Sequence, residues 1–420
     1  MSSIYDDLKW RGLIADISSS EKIKNFFDKK LSAYVGFDPS FKSLHLGNYV
    51  TLTLVRRLTD AGHKVYGIVG GMTGLIGDPR DPKLSVSATL ERQLKTKEEI
   101  ESNVASIRQQ LITYSHATDV FNNASFYKNM TVADYLRDIG KLINVNYLLE
   151  KEIIARRLET GISYAEFSYT LLQGYDSLYL YKNHDVVCQF GGADQWGNIT
   201  TGLEMIRKTV GFKNQSCCFS VPLLLKPDGT KFGKSEKGAI FLDKNLTSPY
   251  EMYQFFINQP DEQVEELIKK FTFLSKDEIK KIIALHNKEP FKRIAQKCLA
   301  QAVVTDIHGN DEFEKCQKIS NALFNDKLNS LTTSELFSAL QGVNKYTVED
   351  SKINICDLLV NAQISKSKSD ARKLIKQNAI SVNSTVINDF EFTLDKSQMI
   401  DNKFSYVKKG KKDYLLVLFK

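Results

Sequence analysis

The stretch "LSAYVGF" at residues 31–37 is rich in strand formers, and the segment after it changes period. Val50, Leu54, Leu58 and Ala61 fall on one face of a helix, and Gly62 suits its end. "KVYGIVGG" is next, a continuous apolar run of the kind buried in a parallel sheet. "HDVVCQFGG" and "FSVPLLL" repeat the pattern, with amphipathic helical stretches between them. Strands alternating with helices predict an α/β region over residues 1–225. Its core is a doubly wound parallel sheet that binds ligands at the carboxyl ends of its strands. Thr247 to Asn325 has helical periodicity and includes a capping box, Ser275-Lys-Asp-Glu278, so 226–325 reads as a loop followed by an α-helical domain. Residues 326–350 are poorly patterned and read as a linker. Residues 351–420 read as a small α+β module. There Ser367-x-x-Asp370 is a capping box, Ala371, Leu374 and Ile375 supply an apolar side, and "AISVNSTVI" forms a hairpin before a closing strand.

Composition changes this picture little. The chain has 420 residues, 42% hydrophobic and 25% charged, as in ordinary globular proteins. No apolar run approaches the roughly 18–20 residues that cross a bilayer. Residues 1–10 lack the basic-then-apolar pattern of a secretory signal. The six cysteines show no CxxC spacing and no clustering with histidine, which argues against a disulfide framework or a zinc site and favours a reducing compartment. Charge matters more. Residues 351–420 hold 13 Lys and Arg against 7 Asp and Glu, so they carry +6 of the chain's +7. That asymmetry predicts a separate module that meets a polyanion.

Five segments carry candidate chemistry. His45 lies just past the first strand, at the mouth of a helix, where an imidazole and free N–H groups suit a phosphate; a satisfied loop histidine fits equally. Gly47 lets a flat ligand approach the backbone. "GGMTGLIGDP" follows the second strand and ends near Asp78; it is neither a GK[ST] loop nor a GxGxxG fingerprint, and structural turns alone would explain it. The apolar helix "YAEFSYTLLQGYDSLYLY" carries Tyr169, Gln173 and Asp176 at i, i+4 and i+7, one polar stripe on a buried element. That stripe is either an internal hydrogen-bond network or the wall of a pocket for a small zwitterionic or phenolic ligand. "GGADQWGN" places Asp194 and Gln195 at a helix start, suited to sugar hydroxyls. In "KPDGTKFGKSEKG", Lys231 and Lys234 sit on a glycine-bearing loop able to close over a polyphosphate; a solvated lysine loop is the alternative.

Together these segments resemble the class I aminoacyl-tRNA synthetases. His45-Leu46-Gly47-Asn48 is similar to their HIGH tetrapeptide, and Lys231-Phe-Gly-Lys-Ser235 to their KMSKS loop. "YVGFDPS", "GLIGDP", "ETGISYAEFSYTLLQGYD", "GGADQWGNIT", "DGTKFGKS" and "LDKNLTSPYEMYQFF" resemble most closely the bacterial-type tyrosyl members, over essentially the whole chain. The resemblance implies a Rossmann-like catalytic domain with a dimer-forming insertion, and the activation of L-tyrosine with ATP followed by its transfer to tRNA(Tyr). It implies that Tyr34 and Asp176 bind the phenolic hydroxyl of tyrosine, that Asp78, Tyr169 and Gln173 hold its ammonium, and that Gln195 lies near its carboxylate. Thr51, Gly192 and Asp194 would contact the ribose, Gly36 and Asp38 would line the adenylate pocket, and Gly47 would admit the nucleotide. Ser40, His45, Asn48, Lys231 and Lys234 would face the ATP phosphates, with Mg²⁺ accompanying them and no dedicated protein metal site. Val35 stands where many relatives carry cysteine, Asn48 replaces the second histidine of the tetrapeptide, and Ser40 replaces threonine. Lys83 and Arg92 are candidates for phosphate contacts on a loop that fits the family's pattern poorly.

"ISKSKSDARKLIKQNAISVN" is similar to the alpha-L type RNA-binding module. It implies tRNA contacts from Lys366, Lys368, Arg372, Lys373 and Lys376, joined by Lys408 and Lys409. A homodimer through Met130 to Arg157, no membrane association and a cytoplasmic location complete the expectation. Three rivals stay open: a tryptophanyl-type relative, a non-catalytic RNA-binding paralogue, and a small-molecule adenylyltransferase with a similar histidine motif.

Overall fold

Ala33, Tyr34, Val35 and Phe37 are all buried along β1 (Ser32–Phe37), as a strand covered on both faces requires. The computed structural model describes residues 3–79, 94–225, 232–235, 238–325, 327–410 and 413–420, with the backbone alone at 234, 235 and 329. β1 lies at the centre of a five-stranded sheet with β2 (Val65–Val69), β3 (Asp119–Asn122), β4 (Val186–Gly192) and β5 (Cys217–Val221), in the order β3-β2-β1-β4-β5. Every pairing is parallel. The chain leaves β1 toward β2 and β3, then returns to β4 on the other side, so the strand order reverses between β1 and β4. Ligand crevices form at such a switch point. β3 is four residues long and was not anticipated. β5 ends at Val221, before the expected "PLLL", because Pro222 has no N–H to give a ladder.

Four helices position the crevice: α1 (Leu46–Asp60), α2 (Lys97–Ser115), α3 (Tyr164–His184) and α4 (Trp196–Val210). His45 is the N-cap of α1, its N–H bound to Asn48 Oδ1 at 3.1 Å, and Gly62 closes the far end at φ +96°. The lysine loop returns as a short antiparallel pair, β6 (Lys234–Ser235) and β7 (Gly238–Ala239).

The chain divides into two compact units, Met1–Asp243 with Pro260–Ala295, and Lys244–Gln259 with Gln296–Lys420. This division by contacts differs from the expected boundaries at 225 and 325. Helices Asp261–Phe271 and Lys276–Lys288 belong with the α/β sheet, because the buried Arg11 guanidinium donates to the carbonyls of Lys269 (2.9 Å) and Leu274 (2.7 Å). The expected Ser275–Glu278 capping box opens the second of these.

The expected linker at 326–350 is corrected as well. It carries a helix, Thr333–Leu340, with its own Thr332–Glu335 capping box, and β8 (Asn344–Val348). In the second unit β9 (Lys352–Asn354) pairs antiparallel with β12 (Thr393–Asp395). A five-stranded sheet runs β11-β10-β13-β14-β8, from β10 (Ile380–Val382), β11 (Thr385–Val386), β13 (Ser405–Lys409) and β14 (Asp413–Phe419). β8 joins it parallel to β14, so the module begins before residue 351. Leu336 and Leu340 share a core with Phe404, Tyr406 and Leu416. The β10–β11 hairpin turns at Asn383 and Ser384, both at positive φ. At α5 (Lys368–Lys376) Ser367 accepts from the Asp370 N–H, but Asp370 reaches back to the Lys366 N–H (3.2 Å). The predicted capping box is therefore only half formed.

Candidate active site

A cavity of about 340 Å³ opens at the carboxyl ends of β1, β2 and β4. It lies where the reversal of strand order leaves room between β1 and β4. The three polar residues of α3, Tyr169, Gln173 and Asp176, all line it. So do Tyr34, Gly36 and Asp38 from β1 and its exit, and His45, Gly47, Asn48 and Thr51 from the start of α1. Gly192, Asp194 and Gln195 line it from the end of β4. Asp78 and Ser40 are not part of the lining; Asp78 is buried one hydrogen bond away. Lys231, Lys83 and Arg92 lie outside the described residues, as does the side chain of Lys234.

The acidic groups of the site are held apart by separate networks. Asp176 is 4% exposed; its Oδ2 accepts from Asn123 Nδ2 (2.9 Å) and its Oδ1 from the Tyr127 hydroxyl (3.1 Å). Burial pushes this carboxyl up to about 7, against the pull of those two hydrogen bonds. Tyr34 is also pushed well above the usual phenol range, first by burial and then by the Asp176 charge, so it stays protonated. Its hydroxyl lies 2.5 Å from Ser177 Oγ, which in turn donates to Gln189 Oε1 at 2.9 Å. Tyr34 and Gln189 are register partners on β1 and β4, which puts both side chains on one side of the sheet. Asp78 accepts from Gln195 Nε2 (2.7 Å) and Asn198 Nδ2 (3.1 Å), whereas the Tyr169 hydroxyl donates to Asp38 Oδ1 (3.0 Å). Of the expected ammonium-binding trio, Asp78 and Tyr169 thus belong to separate networks.

The two glycine-bearing motifs meet. Leu46 N–H donates to Ile240 O (2.9 Å), Leu242 N–H to Leu44 O (2.8 Å), and His45 forms an isolated antiparallel bridge with Phe241. Gly233 sits at φ +83°, and a Cβ there would lie 3.1 Å from the Gly47 amide nitrogen. The base of the lysine loop therefore rests on the first turn of α1, whose N–H groups and dipole favour an anion. A Cβ at Gly47 would in turn press the His45 ring at 2.9 Å.

Sequence reasoning missed Asn123, Tyr127, Ser177, Gln189 and Asn198. Ser177 and Gln189 lie in the segments already singled out, and the single signal was a polar residue in an otherwise apolar run. Asn123 and Tyr127 follow the unanticipated β3, so nothing marked them.

In the basic module Lys366, Lys368, Arg372, Lys373 and Lys376 are exposed on and beside α5. Lys368 pairs with Asp357 and Arg372 stacks over the Phe390 ring. Lys408 and Lys409 are half-buried; Lys409 Nζ donates to Ile364 O (2.9 Å), which ties β13 to the loop before α5.

Known proteins resemble this chain over nearly its whole length. The family of class I tRNA synthetases (W and Y) matches residues 27–325, and the tyrosine–tRNA ligase SYY-like C-terminal domain matches 335–417. A tyrosine–tRNA ligase of Ureaplasma urealyticum is 48% identical over 100% of this chain and 99% of its own, and one of Limosilactobacillus fermentum is 42% identical over 99% of each. A C-terminally truncated mitochondrial tyrosyl-tRNA synthetase of Aspergillus nidulans has a TM-score of 0.68 and 31% identity. That alignment covers 77% of this chain and 95% of that one. A tryptophanyl-tRNA synthetase of Encephalitozoon cuniculi, at 13% identity and TM-score 0.54, covers 80% of this chain and 90% of its own and shares the fold. The two matched families together span most of the chain, and relatives 42–48% identical cover it end to end, so the chain belongs to the bacterial tyrosyl-tRNA synthetase family of class I synthetases.

Proposed function

We propose that this chain is a tyrosine–tRNA ligase that forms tyrosyl-adenylate from L-tyrosine and ATP, releasing pyrophosphate, and then esterifies the terminal adenosine of tRNA(Tyr), releasing AMP. The observation that supports it most is a single cavity lined both by a buried carboxyl beside a phenol, Asp176 and Tyr34, and by the His45–Asn48 turn. The first pair recognises a phenolic side chain, and the second faces phosphates.

The tyrosine carboxylate is ionised at neutral pH, so attack on the α-phosphate needs no general base. Catalysis then rests on positioning and charge stabilisation. In this reading His45, at the N-terminus of α1, donates to the phosphate in the transition state more strongly than to bound ATP, aided by Lys231 and Lys234, with Ser40 and Asn48 beside it. Mg²⁺ enters with the ATP phosphates. Thr51, Gly192 and Asp194 take the ribose, Gly36, Asp38 and Gly47 shape the adenylate pocket, and Gln195 approaches the amino-acid carboxylate. Asp78, Tyr169 and Gln173 receive the ammonium, with Asp78 acting through Gln195 and Asn198 or after they shift.

A phenylalanine would leave the Tyr34–Asp176 end without a hydroxyl. Tyrosyl enzymes rejecting phenylalanine are a standard illustration of the cost of leaving such a group unpaired. The exposed basic face of α5 carries the tRNA. A second copy of the chain packs on the surface that exposes Val132, Val145, Leu158 and Tyr164, at 77%, 57%, 49% and 70%. A cytoplasmic location follows from the substrates. No helix among the described residues is long and apolar enough to cross a membrane.

The test is charging: the purified chain, ATP, Mg²⁺ and labelled tyrosine should load tRNA(Tyr) transcript and no other tRNA. Failure to load it, with adenylate still forming, would restrict the chain to the first step.

A further inference from the structure

Leu44, immediately before His45, has an N–H that no helix or strand satisfies, because α1 begins only at Leu46. It donates to Gln110 Oε1, on α2, at 2.8 Å. The same amide donates through Nε2 to Ser43 Oγ at 3.0 Å. Ser43 is buried, and its hydroxyl also donates to Leu44 O (2.8 Å) and accepts from the Asp243 N–H (3.1 Å). One donor and two acceptor sites are all that a hydroxyl has, so the node is saturated.

Three segments of the first unit meet at this node. The turn at 43–46 carries His45. The segment 240–243 follows the lysine loop and is tied to that turn by backbone hydrogen bonds at Leu44 and Leu46, while Ile240 N–H donates to Gly233 O at 2.8 Å. The third is α2. Seven residues before Gln110, on the same face of α2, the buried Asn103 donates to Pro39 O at 2.9 Å. α2 therefore grips the chain between β1 and α1 at both ends, at Pro39 and at Leu44.

We propose that Gln110 is a positioning residue for adenylate formation, fixing the His45 turn and the segment behind the lysine loop to a common anchor on α2. Gln110 is absent from the cavity lining and acts on the phosphates only through the backbone it holds. The proposal rests on the activity given above.

The experiment is tyrosine-dependent ATP–pyrophosphate exchange by the full chain, comparing wild type, Gln110→Leu and Gln110→Glu, each with and without His45→Ala. Leucine keeps the bulk and leaves the Leu44 N–H unsatisfied; glutamate keeps an acceptor for it. Gln110→Leu is expected to lower kcat by about tenfold or more with little change in KM for tyrosine, since small misplacements at a reacting centre are costly. Gln110→Glu should recover most of the loss. In the His45→Ala background Gln110→Leu should cost less than about twofold more, because residues acting through one another are not additive. An unchanged kcat in Gln110→Leu, or the same fold loss with and without His45, would overturn the proposal. Should Gln110→Leu not fold, Ser43→Ala cuts the links to Gln110 Nε2 and Asp243 while keeping the Leu44 bond; it should lower kcat less than Gln110→Leu would, with the same dependence on His45, and an unchanged kcat would overturn the proposal. A wild-type chain inactive with tyrosine would overturn the activity itself, a result distinct from any of these.

Discussion

Asp176 is where burial and chemistry pull hardest against each other. A carboxyl 4% exposed whose hydrogen-bond partners, Asn123 and Tyr127, carry no charge is expensive to ionise, and it reaches about 7 for that reason. Its ordinary value is 3.8, so between about 4 and 7 the folded chain holds a proton that the unfolded chain has lost. This group's contribution to stability therefore falls as pH rises through that window, and the cost is complete above it. Asp176→Asn should remove the fall: its unfolding free energy relative to wild type should rise from pH 4 to 7, and parallel denaturation curves would contradict this. The same variant should raise KM for tyrosine by about tenfold or more while leaving KM for ATP nearly unchanged, since the ligand group that Asp176 meets in this reading is the phenol and not ATP. Much at this scale was legible. Tyr169, Gln173 and Asp176 stood out because a polar stripe at helical spacing is costly on a buried helix. Asn123 and Tyr127, which hold Asp176, were not legible. Their partner lies 53 and 49 residues away, and an asparagine or a tyrosine after a short strand carries no local signature.

Among the elements, the join between the lysine loop and α1 depends on one glycine. Gly233 needs both a left-handed backbone and the absence of a side chain, 3.1 Å from the Gly47 nitrogen. Gly233→Ala should therefore push the base of the loop off the first turn of α1. Pyrophosphate exchange should fall by about tenfold or more, with thermal stability changed little because the residue sits on a loop; unaltered exchange would show that the loop does not work from this seat. The major strands were readable because apolar runs bounded by glycine are distinctive. β8 was not: in "NKYTV" only Tyr346 and Val348 are substantially apolar, and its partner β14 lies about 70 residues on, so pattern alone made it a linker.

The whole molecule combines a nearly neutral front with a basic end, as the charge count anticipated. Lys366, Lys373 and Lys376 are exposed and form no ion pair among the described residues, which suits phosphate contacts that release counterions. Replacing all three with alanine should leave pyrophosphate exchange intact. It should weaken tRNA charging and lower the salt slope of tRNA binding by about one per lysine lost. A slope unchanged from wild type would take the tRNA elsewhere. Segment boundaries were the least legible feature at this scale. The chain leaves the α/β unit at Lys244, returns at Pro260 and leaves again at Gln296, and no composition shift marks those crossings.

The most direct test is amino-acid-dependent ATP–pyrophosphate exchange without tRNA, with tyrosine, phenylalanine and tryptophan supplied separately. Exchange with tyrosine alone is expected, from a cavity that sets Tyr34 and Asp176 in the same wall and His45 at the N-terminus of α1. Exchange with tryptophan, or none with any of the three from a folded sample, would contradict it.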